Sequence, residues 1–420
     1  MPAIDDIRKR ALFSASCMAL IVTAMTFAFR AGLETTWEEK YHLTKEQLGW
    51  IFSPAFWGFT LAMIFGGPLC DMIGMKRLLG LAFTGHAAGI IIYMTAGDAN
   101  MLFAGTLCIG IGNGMVEAAC NPLVVSLYPD NKTTMLNRFH VWFPGGIAIG
   151  GLLSYFLIGR MQLDWHWLMA ILFIPAIIYG ILFLRLKFPE TERVNKGVST
   201  GKMFRSCLNP LFLLMILCMM FTAATELGTG TWIQALLLGA NVSGILVLVF
   251  INGIMAVGRS MASPIVHKLN PNGVLIGSAF FAALGLFLLS KASGTYQAFG
   301  SAFIFAAGVC FFWPTMLGFV SEYLPDTGAM GLSLMGGAGM FSVSLILPVM
   351  GKWFDDYKQH AIANGMQPTA ADTYSGSQTF LKVAIMPAIL LIIFIFIYFF
   401  RRKKYDAQQE HNITKISSAH

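Results

Sequence analysis

The chain has 420 residues, of which 56% are hydrophobic and only 12% are charged, and its mean hydropathy is +0.67. An average soluble domain has roughly twice that charged share, so this chain has too few polar residues to cover a water-exposed surface. The composition therefore excludes a soluble enzyme or binding module and predicts a membrane protein. The net charge of +7 is concentrated in short loops beside apolar segments, which argues against nucleic acid as a partner.

The apolar segments have the length of roughly 20 residues that a helix needs to cross a bilayer core of about 30 Å. The first group covers 11–33, 47–69, 78–97, 101–127, 137–159 and 165–186. The second group covers 209–237, 243–266, 273–290, 296–321, 330–351 and 379–400. The sequence thus predicts an all-α membrane protein with twelve transmembrane helices.

Most of the 28 Lys and Arg residues lie in alternate loops and near both chain ends. An excess of basic residues marks the cytoplasmic side of a membrane protein. We therefore expect a multi-pass protein of the inner (plasma) membrane with both termini in the cytoplasm. The run Arg8-Lys9-Arg10 precedes an apolar segment too long for a cleavable signal peptide.

The longest basic connection divides the chain into two groups of six helices. The predicted units are an N-terminal half 1–186, a cytoplasmic linker 187–208, a C-terminal half 209–400 and a basic tail 401–420. Short similar stretches occur at equivalent places in the two halves. Gly67-Pro-Leu69 corresponds to Ser263-Pro-Ile265, and Leu127-Tyr-Pro-Asp130 corresponds to Tyr323-Leu-Pro-Asp326. Two such pseudo-repeats are typical of one transporter architecture.

The loop after the second segment reads Gly67-Pro-Leu-Cys-Asp71-Met-Ile-Gly74-Met-Lys76-Arg-Leu-Leu79. It resembles the loop signature of the major facilitator superfamily, from which Cys70, Met72 and Met75 depart. The resemblance implies the major facilitator fold and a gating role for Gly67, Asp71, Gly74 and Lys76. The glycines permit a tight turn, and the carboxylate can accept hydrogen bonds at a helix N-terminus.

Segment four carries Glu117-Ala-Ala-Cys-Asn121-Pro122, which is similar to the Glu-x-x-x-Asn-Pro stretch of the fucose:proton symporter family. The stretches Asn137–His140 and Glu226–Trp232 resemble sugar carriers of that kind as well. The resemblance implies sugar symport, with Glu117 in the central cavity. Because burial among apolar neighbours disfavours the charged carboxylate, we expect Glu117 to carry the coupling proton if a proton is coupled. An aspartate that the family places on helix one corresponds here to Arg30 or Ala31, so the family's two-carboxylate scheme does not carry over.

A charged side chain near the bilayer centre costs roughly 2.5–3.5 kcal/mol, so such residues usually face a cavity or pair with each other. Arg30 and Glu226 lie at similar depths, about 28 and 26 Å along their helices at about 1.5 Å per residue. We therefore expect them to form a charge pair or to grip the substrate together. Arg259 and His140 are placed nearer the cytoplasmic ends of their helices, where a gating role is favoured.

A sugar site needs amides for hydroxyl groups and flat apolar faces for C–H surfaces. Besides Arg30 and Glu226, the candidates for substrate binding are Asn113, Asn121, Gln234, Asn252, Trp57, Trp142, Trp232 and Trp313. The tryptophans near mid-membrane, Trp57 and Trp313, rank first among the aromatic residues.

Other classes of protein are less consistent with this sequence. A membrane enzyme would show a catalytic cluster at an interface, and a receptor would usually add a soluble domain. The seven cysteines lack a repeated spacing, which argues against a disulfide framework and a metal site. No cofactor is expected.

The main alternative is a drug or metabolite antiporter of the same superfamily, whose fifth segment carries Gly-x-x-x-Gly-Pro-x-x-Gly-Gly. Here Pro144 precedes Gly145-Gly146, and the signature is incomplete. We predict a monomeric secondary active transporter that moves a small polar solute, a sugar, by alternating access with proton coupling. The particular sugar, the direction of transport and sodium as the coupling ion stay open on sequence alone.

Overall fold

Residues 6–43, 45–191, 200–237 and 244–417 are described by a computed structural model, and every structural statement below refers to them. The side chains of some residues within these ranges, Gln234 and the tail from residue 401 among them, lie outside the description. The described chain is almost entirely helical, without a β-strand.

Eight helices form the first six spans. They are α1 (Asp6–Lys40), α2 (Lys45–Phe52), α3 (Pro54–Ile73), α4 (Met75–Met94), α5 (Ala99–Leu127), α6 (Lys132–Phe139), α7 (Trp142–Ser154) and α8 (His166–Arg185). Helices α2 and α3 share the second span. In the fifth span α6 and α7 are followed by a π-helical turn, Tyr155–Arg160.

A short helix, α9 (Thr200–Ser206), precedes the last six spans. The seventh span consists of α10 (Pro210–Ala223), a π-helical turn (Ala224–Gly228) and α11 (Thr229–Leu236). The others are α12 (Gly244–Ser260), α13 (Ala262–Leu289), α14 (Thr295–Val309) with α15 (Phe312–Tyr323), α16 (Gly328–Ala363) and α17 (Pro368–Ser417).

Eleven of the described spans are long and apolar enough to cross a membrane, and Leu246–Ser260 is a shorter apolar helix between them. Together they account for the twelve predicted segments, so the predicted all-α membrane fold is confirmed. Several helices are longer than the apolar segments. Helix α1 continues to Lys40, because its polar last turns leave the bilayer without losing helical hydrogen bonds.

Helix α13 (Ala262–Leu289) consists of two helical parts joined at Asn270. The second part begins at Pro271, close to residue 273, where the apolar pattern predicted the ninth segment to start. The helix bends at Asn270, whose φ of 53° lies in the left-handed region, directly before Pro271. Proline has no N–H to donate, so a kink at this position loses little hydrogen bonding.

Packing follows the two groups of six spans. In the first group α1 packs on α7 and α8, and α3 and α4 pack on α5; in the second, α13 packs on α14 and α17, and α10 packs on α16. The two groups meet where α3 contacts α16, α7 contacts α12 and α6 contacts α15. This arrangement leaves a central space between the groups.

Candidate functional site: a central cavity with a buried charge cluster

A cavity of ≈ 290 Å³ lies between the two groups of spans. Its wall is largely aromatic and aliphatic, and the polar groups on it are few. Arg30 and Glu226 are its charged lining residues, while Thr231 and Asn252 add a hydroxyl and an amide. The phenyl rings on the wall are those of Phe27, Phe52, Phe56, Phe143 and Phe305.

Glu226 lies in the π-helical turn between α10 and α11. Its Oε1 accepts a hydrogen bond from Nη2 of Arg259 at 3.1 Å, and both side chains are buried. Oε2 of Glu226 is enclosed and has no hydrogen-bond partner within the described part of the chain. Single π-helical turns occur often at functional sites, and this one presents a carboxylate to the cavity.

Arg259 of α12 connects three parts of the bundle. Besides Glu226, it donates from Nε to the carbonyl of Cys310, where α14 ends, and from Nη1 to the carbonyl of His140 at 3.0 Å. The second carbonyl lies between α6 and α7, where a break between helices frees it from intrahelical bonding. Arg259 therefore links the last six spans to the first six.

Glu117 of α5 lies beside this link. Its Oε2 accepts a hydrogen bond from Nδ2 of Asn121 at 2.6 Å, one helical turn along α5. His140 Nε2 is 3.0 Å from Oδ1 of Asn121 and 3.8 Å from Oε2 of Glu117. Glu117, His140, Glu226 and Arg259 together border a smaller cavity, and we call them the charge cluster.

Arg30 of α1 lines the main cavity but does not pair with Glu226. Its guanidinium lies 4.6 Å from the ring centroid of Phe27 and also interacts with Tyr93. Its Nη1 is buried without a hydrogen-bond partner among the described residues. The predicted Arg30–Glu226 pair is wrong because equal depth fixes height in the membrane and not direction, and Arg259 reaches Glu226 from an adjacent helix.

The predicted amides divide into three environments. Asn252 lines the main cavity and donates to the carbonyl of Leu248 at 2.9 Å, and Asn121 belongs to the surroundings of Glu117. Asn113 lies elsewhere, within the first six spans, where it bonds Thr26 at 3.0 Å and His86 at 2.8 Å. The side chain of Gln234 lies outside the described residues.

The predicted tryptophans contribute little to the main cavity. Trp313 borders the smaller cavity next to the charge cluster. Trp57 donates to Ser53 Oγ at 3.3 Å, and Trp232 donates to the carbonyl of Leu347 at 3.1 Å. Trp142 is 38% exposed. The phenylalanines supply the flat faces instead. Sequence reasoning missed them, although Phe27 precedes Arg30 by one helical turn.

Four of the predicted gating residues, Gly67, Asp71, Gly74 and Lys76, lie at one end of the bundle, which we call the Asp71 end. The other two, Arg259 and His140, belong to the charge cluster. Asp71 Oδ1 accepts a hydrogen bond from Thr191 Oγ1 at 2.6 Å. Lys76 donates to the carbonyls of Leu184 at 2.8 Å and Leu186 at 3.1 Å. Gly74, with φ of 87°, makes the turn between α3 and α4, a conformation that glycine adopts at little cost.

Contacts between the two groups close this end. Lys132 donates to the carbonyl of Ser321 at 3.1 Å, and Thr133 Oγ1 bonds Glu322 Oε1 at 2.5 Å. A Cβ on Gly67 would approach Cβ of Ser333 to 2.7 Å, so α3 and α16 touch almost backbone to backbone. The cavity therefore lies beyond a sealed layer.

Comparison with known proteins matches this architecture. A family model described as Major Facilitator Superfamily covers residues 15–348. The chain belongs to this superfamily. It is 24% identical to the D-galactonate transporter of Escherichia coli O6:H1 over 191 residues. This aligned region covers 44% of this chain and 43% of the relative. The chain is 28% identical over 168 residues to monosaccharide-sensing protein 3 of Arabidopsis thaliana, 38% of this chain and 22% of the relative. The matched region thus spans less than half of each of these relatives.

Solved structures show the same fold over nearly the whole chain. The superfamily transporter FucP in its outward conformation aligns with a TM-score of 0.70 at 18% identity, over 90% of this chain and 98% of FucP. The proton:xylose symporter XylE, bound to 6-bromo-6-deoxy-D-glucose, aligns with a TM-score of 0.72 at 15% identity, over 91% of this chain and 95% of XylE. The chain therefore has the major facilitator fold.

Proposed function

We propose that this transporter moves a sugar or a closely related polyhydroxylated solute by alternating access, coupled to protons through Glu117. The observation that carries the proposal is the joining of a solute-sized cavity to a buried carboxylate. Glu226 belongs both to the wall of the main cavity and to the charge cluster that contains Glu117. Solute and proton can thus act on one connected set of side chains.

The cavity wall has the chemistry that a sugar requires. Phenyl rings offer flat apolar faces to C–H groups, and Arg30, Glu226, Thr231 and Asn252 offer hydrogen bonds to hydroxyl groups. The names of the D-galactonate transporter and of the proton:xylose symporter are in keeping with a carbohydrate-like solute and a coupling proton.

In the proposed cycle the halves 1–186 and 209–400 rock about the cavity. The contacts at the Asp71 end would break when the cavity opens to that side. The basic residues at this end support a cytoplasmic position for it by the positive-inside rule. In the proposed topology both termini lie inside the cell and the protein lies in the inner membrane. The conformation described here is then the one closed to the cytoplasm, and a monomer suffices for the cycle.

The test is uptake of labelled monosaccharides and sugar acids into proteoliposomes under an inward pH gradient. Wild-type protein should accumulate at least one such solute above its external concentration. Glu117→Gln, which imitates a permanently protonated side chain, should lose uphill accumulation and keep counterflow exchange. Asp356→Asn, which changes an exposed acid on α16, is the matched control and should behave as wild type.

Uphill accumulation by Glu117→Gln would place proton coupling elsewhere, with Glu226 the next residue to change. Failure of all tested sugars and sugar acids to bind or exchange would refute a carbohydrate-like solute. One observation supports a second candidate, efflux of lipophilic compounds, because phenyl rings make up much of the cavity wall. Export of a lipophilic dye without any sugar exchange would favour that candidate.

A further inference from the structure

We propose that the solute carries a carboxylate, as aldonic and uronic acids do, and that Arg30 binds it. This inference rests on the proposed function, since it takes the main cavity to be the transport site. It specifies the charge of the solute, which the proposal above leaves open. Two independent features of the cavity lead to it: the unfilled bonding capacity of Arg30, and the distribution of charge around it.

Arg30 is a buried cation without an anionic partner among the described residues. It is 6% exposed, and no carboxylate forms an ion pair with it. Its Nη1 is enclosed and has no hydrogen-bond partner among the described residues, and Arg30 is one of the residues that line the cavity. Buried polar atoms are nearly always hydrogen-bonded, so an orphaned donor at a cavity calls for a ligand that accepts.

The neighbouring side chains fix the orientation of the Arg30 guanidinium. Phe27 lies against it at 4.6 Å, and Tyr93 interacts with it from α4, so two neighbours hold it in place on α1. A planar guanidinium held in this way offers parallel N–H groups that match the two oxygens of a carboxylate. A neutral hydroxyl would use only one of them and would leave the charge uncompensated.

The charges of the cavity wall and of the charge cluster also favour an anionic solute. The ion pair with Arg259 neutralises Glu226. If His140 is taken as a neutral imidazole, Arg30 and Glu117 are the groups without a counter-charge among the described residues of the cavity wall and the charge cluster. With Glu117 ionised and the cavity empty, these groups sum to zero. With Glu117 protonated and a carboxylate on Arg30, they again sum to zero.

A neutral sugar would break this balance, because the carrier loaded with a proton and a neutral solute would hold one uncompensated positive charge. Enclosing an unpaired charge in a low-dielectric interior is strongly unfavourable. One proton moving with one monoanion therefore keeps both the loaded and the empty carrier neutral. Transport of this kind moves no net charge across the membrane.

The cavity also limits the size of the anion. At ≈ 290 Å³ it lies at the lower end of the range for small-molecule sites, about 300–1,000 Å³. A single six-carbon acid suits that space better than an oligosaccharide. Thr231 and Asn252, on α11 and α12, would face the hydroxyl groups of an acid anchored at α1.

The first experiment measures thermal stabilisation of the purified full-length protein in detergent. The probes are D-gluconate, D-galactonate, D-glucuronate and D-galacturonate, compared with neutral D-glucose and D-galactose. We expect at least one acid to stabilise the wild type, and the neutral hexoses to require at least tenfold higher concentrations. Arg30→Gln should weaken binding of the acid at least tenfold, while Arg30→Lys, which keeps the charge but loses the planar fork, should retain part of it. Lys40→Gln, which removes an exposed charge from the same helix, should leave binding unchanged.

The second experiment separates the driving forces in proteoliposomes that contain wild-type protein. A pH gradient at zero membrane potential should drive accumulation of the acid, and a potassium–valinomycin potential without a pH gradient should not. Accumulation driven by the potential alone would overturn the electroneutral balance.

The outcomes distinguish the inference from the proposed function. If neutral hexoses bind and accumulate while the acids do not, the anionic solute is refuted and sugar transport stands. If Arg30→Gln binds the acid as wild type does, the assignment of Arg30 as its binding residue is refuted. If neither class binds a folded wild-type protein, the proposed function fails and the inference fails with it. If Arg30→Gln folds poorly, acid binding by Arg30→Lys and the membrane-potential experiment still decide between an anionic and a neutral solute.

Discussion

Arg259 and Glu226 form an ion pair of 3.1 Å with relative exposures of 1% and 7%, so both charges are almost completely enclosed. The same guanidinium reaches the His140 carbonyl on the other group of spans. One arginine thus neutralises an acid of the cavity wall and joins the two groups of helices that would move apart in the proposed cycle.

Removing one partner of this pair should cost more than removing both. Arg259→Gln leaves the Glu226 carboxylate buried without a counter-charge, a change of about 3–5 kcal/mol in other buried pairs. We expect a large fall in melting temperature for Arg259→Gln and partial recovery in the double variant Arg259→Gln/Glu226→Gln, both measured on detergent-purified protein. Arg160→Gln, at an exposed arginine, serves as the control. A double variant less stable than Arg259→Gln would show that the pair is not the origin of the effect.

The close approach of α3 and α16 at Gly67 should control which conformation is populated. A methyl group there meets Ser333 at 2.7 Å and the Met330 backbone at 2.9 Å, so Gly67→Ala should loosen the Asp71 end. Gly80→Ala on α4 meets nothing within 4 Å and is the matched control.

The measurement for this prediction is alkylation of a cysteine placed at Ser321, in a background without the native cysteines. Ser321 is buried in the contact between the two groups. Labelling should be several-fold faster with Gly67→Ala than with Gly80→Ala. Equal rates would mean that the contact at Gly67 does not hold this end closed.

Asp71 should influence the rate of transport and not the affinity for solute. Its carboxylate accepts a hydrogen bond from Thr191 and lies at the Asp71 end, away from the cavity wall. Asp71→Asn should slow exchange markedly and leave the binding constant within a few-fold of wild type. Thr191→Val, which removes the donor alone, should give a weaker form of the same effect. Loss of binding by folded Asp71→Asn protein would contradict this prediction.

Asn113 should act on stability, because it lies inside a buried polar network and not on the cavity wall. It joins Thr26 to His86, and His86 continues to Tyr179 at 2.8 Å. Asn113→Ala leaves buried groups unpaired on both sides, at a cost of about 1–3 kcal/mol for each. The melting temperature should fall while solute affinity persists. Thr84→Ala, which changes an exposed hydroxyl on α4, should do neither. A selective loss of affinity would instead place Asn113 in the transport site.

The sequence predicted the helices better than it predicted the partners of their side chains. Hydrophobic segments predict membrane spans because a helix surface that faces lipid must be apolar. The twelve predicted segments correspond to eleven long apolar spans and one shorter apolar helix among the described residues. Depth along a helix predicted that Arg30 and Glu226 would share a cavity, and they do. It did not predict the partner of Glu226, because the rotation of each helix depends on packing. The π-helical turn at 224–228 and the kink at Asn270 are local departures that periodicity does not show.

The π-helical turn in the seventh span changes which residues of that helix lie on the same face. One residue corresponds to about 100° of rotation in an α-helix, so a turn that accommodates an extra residue shifts the face of everything after it. Thr231 reaches the cavity and Trp232 reaches α16 only in the register that follows Ala224–Gly228. Deleting a single residue within that turn would leave the composition of the helix nearly unchanged and turn its outer half to a different neighbour. In this span, length is therefore as much a determinant of the site as residue identity.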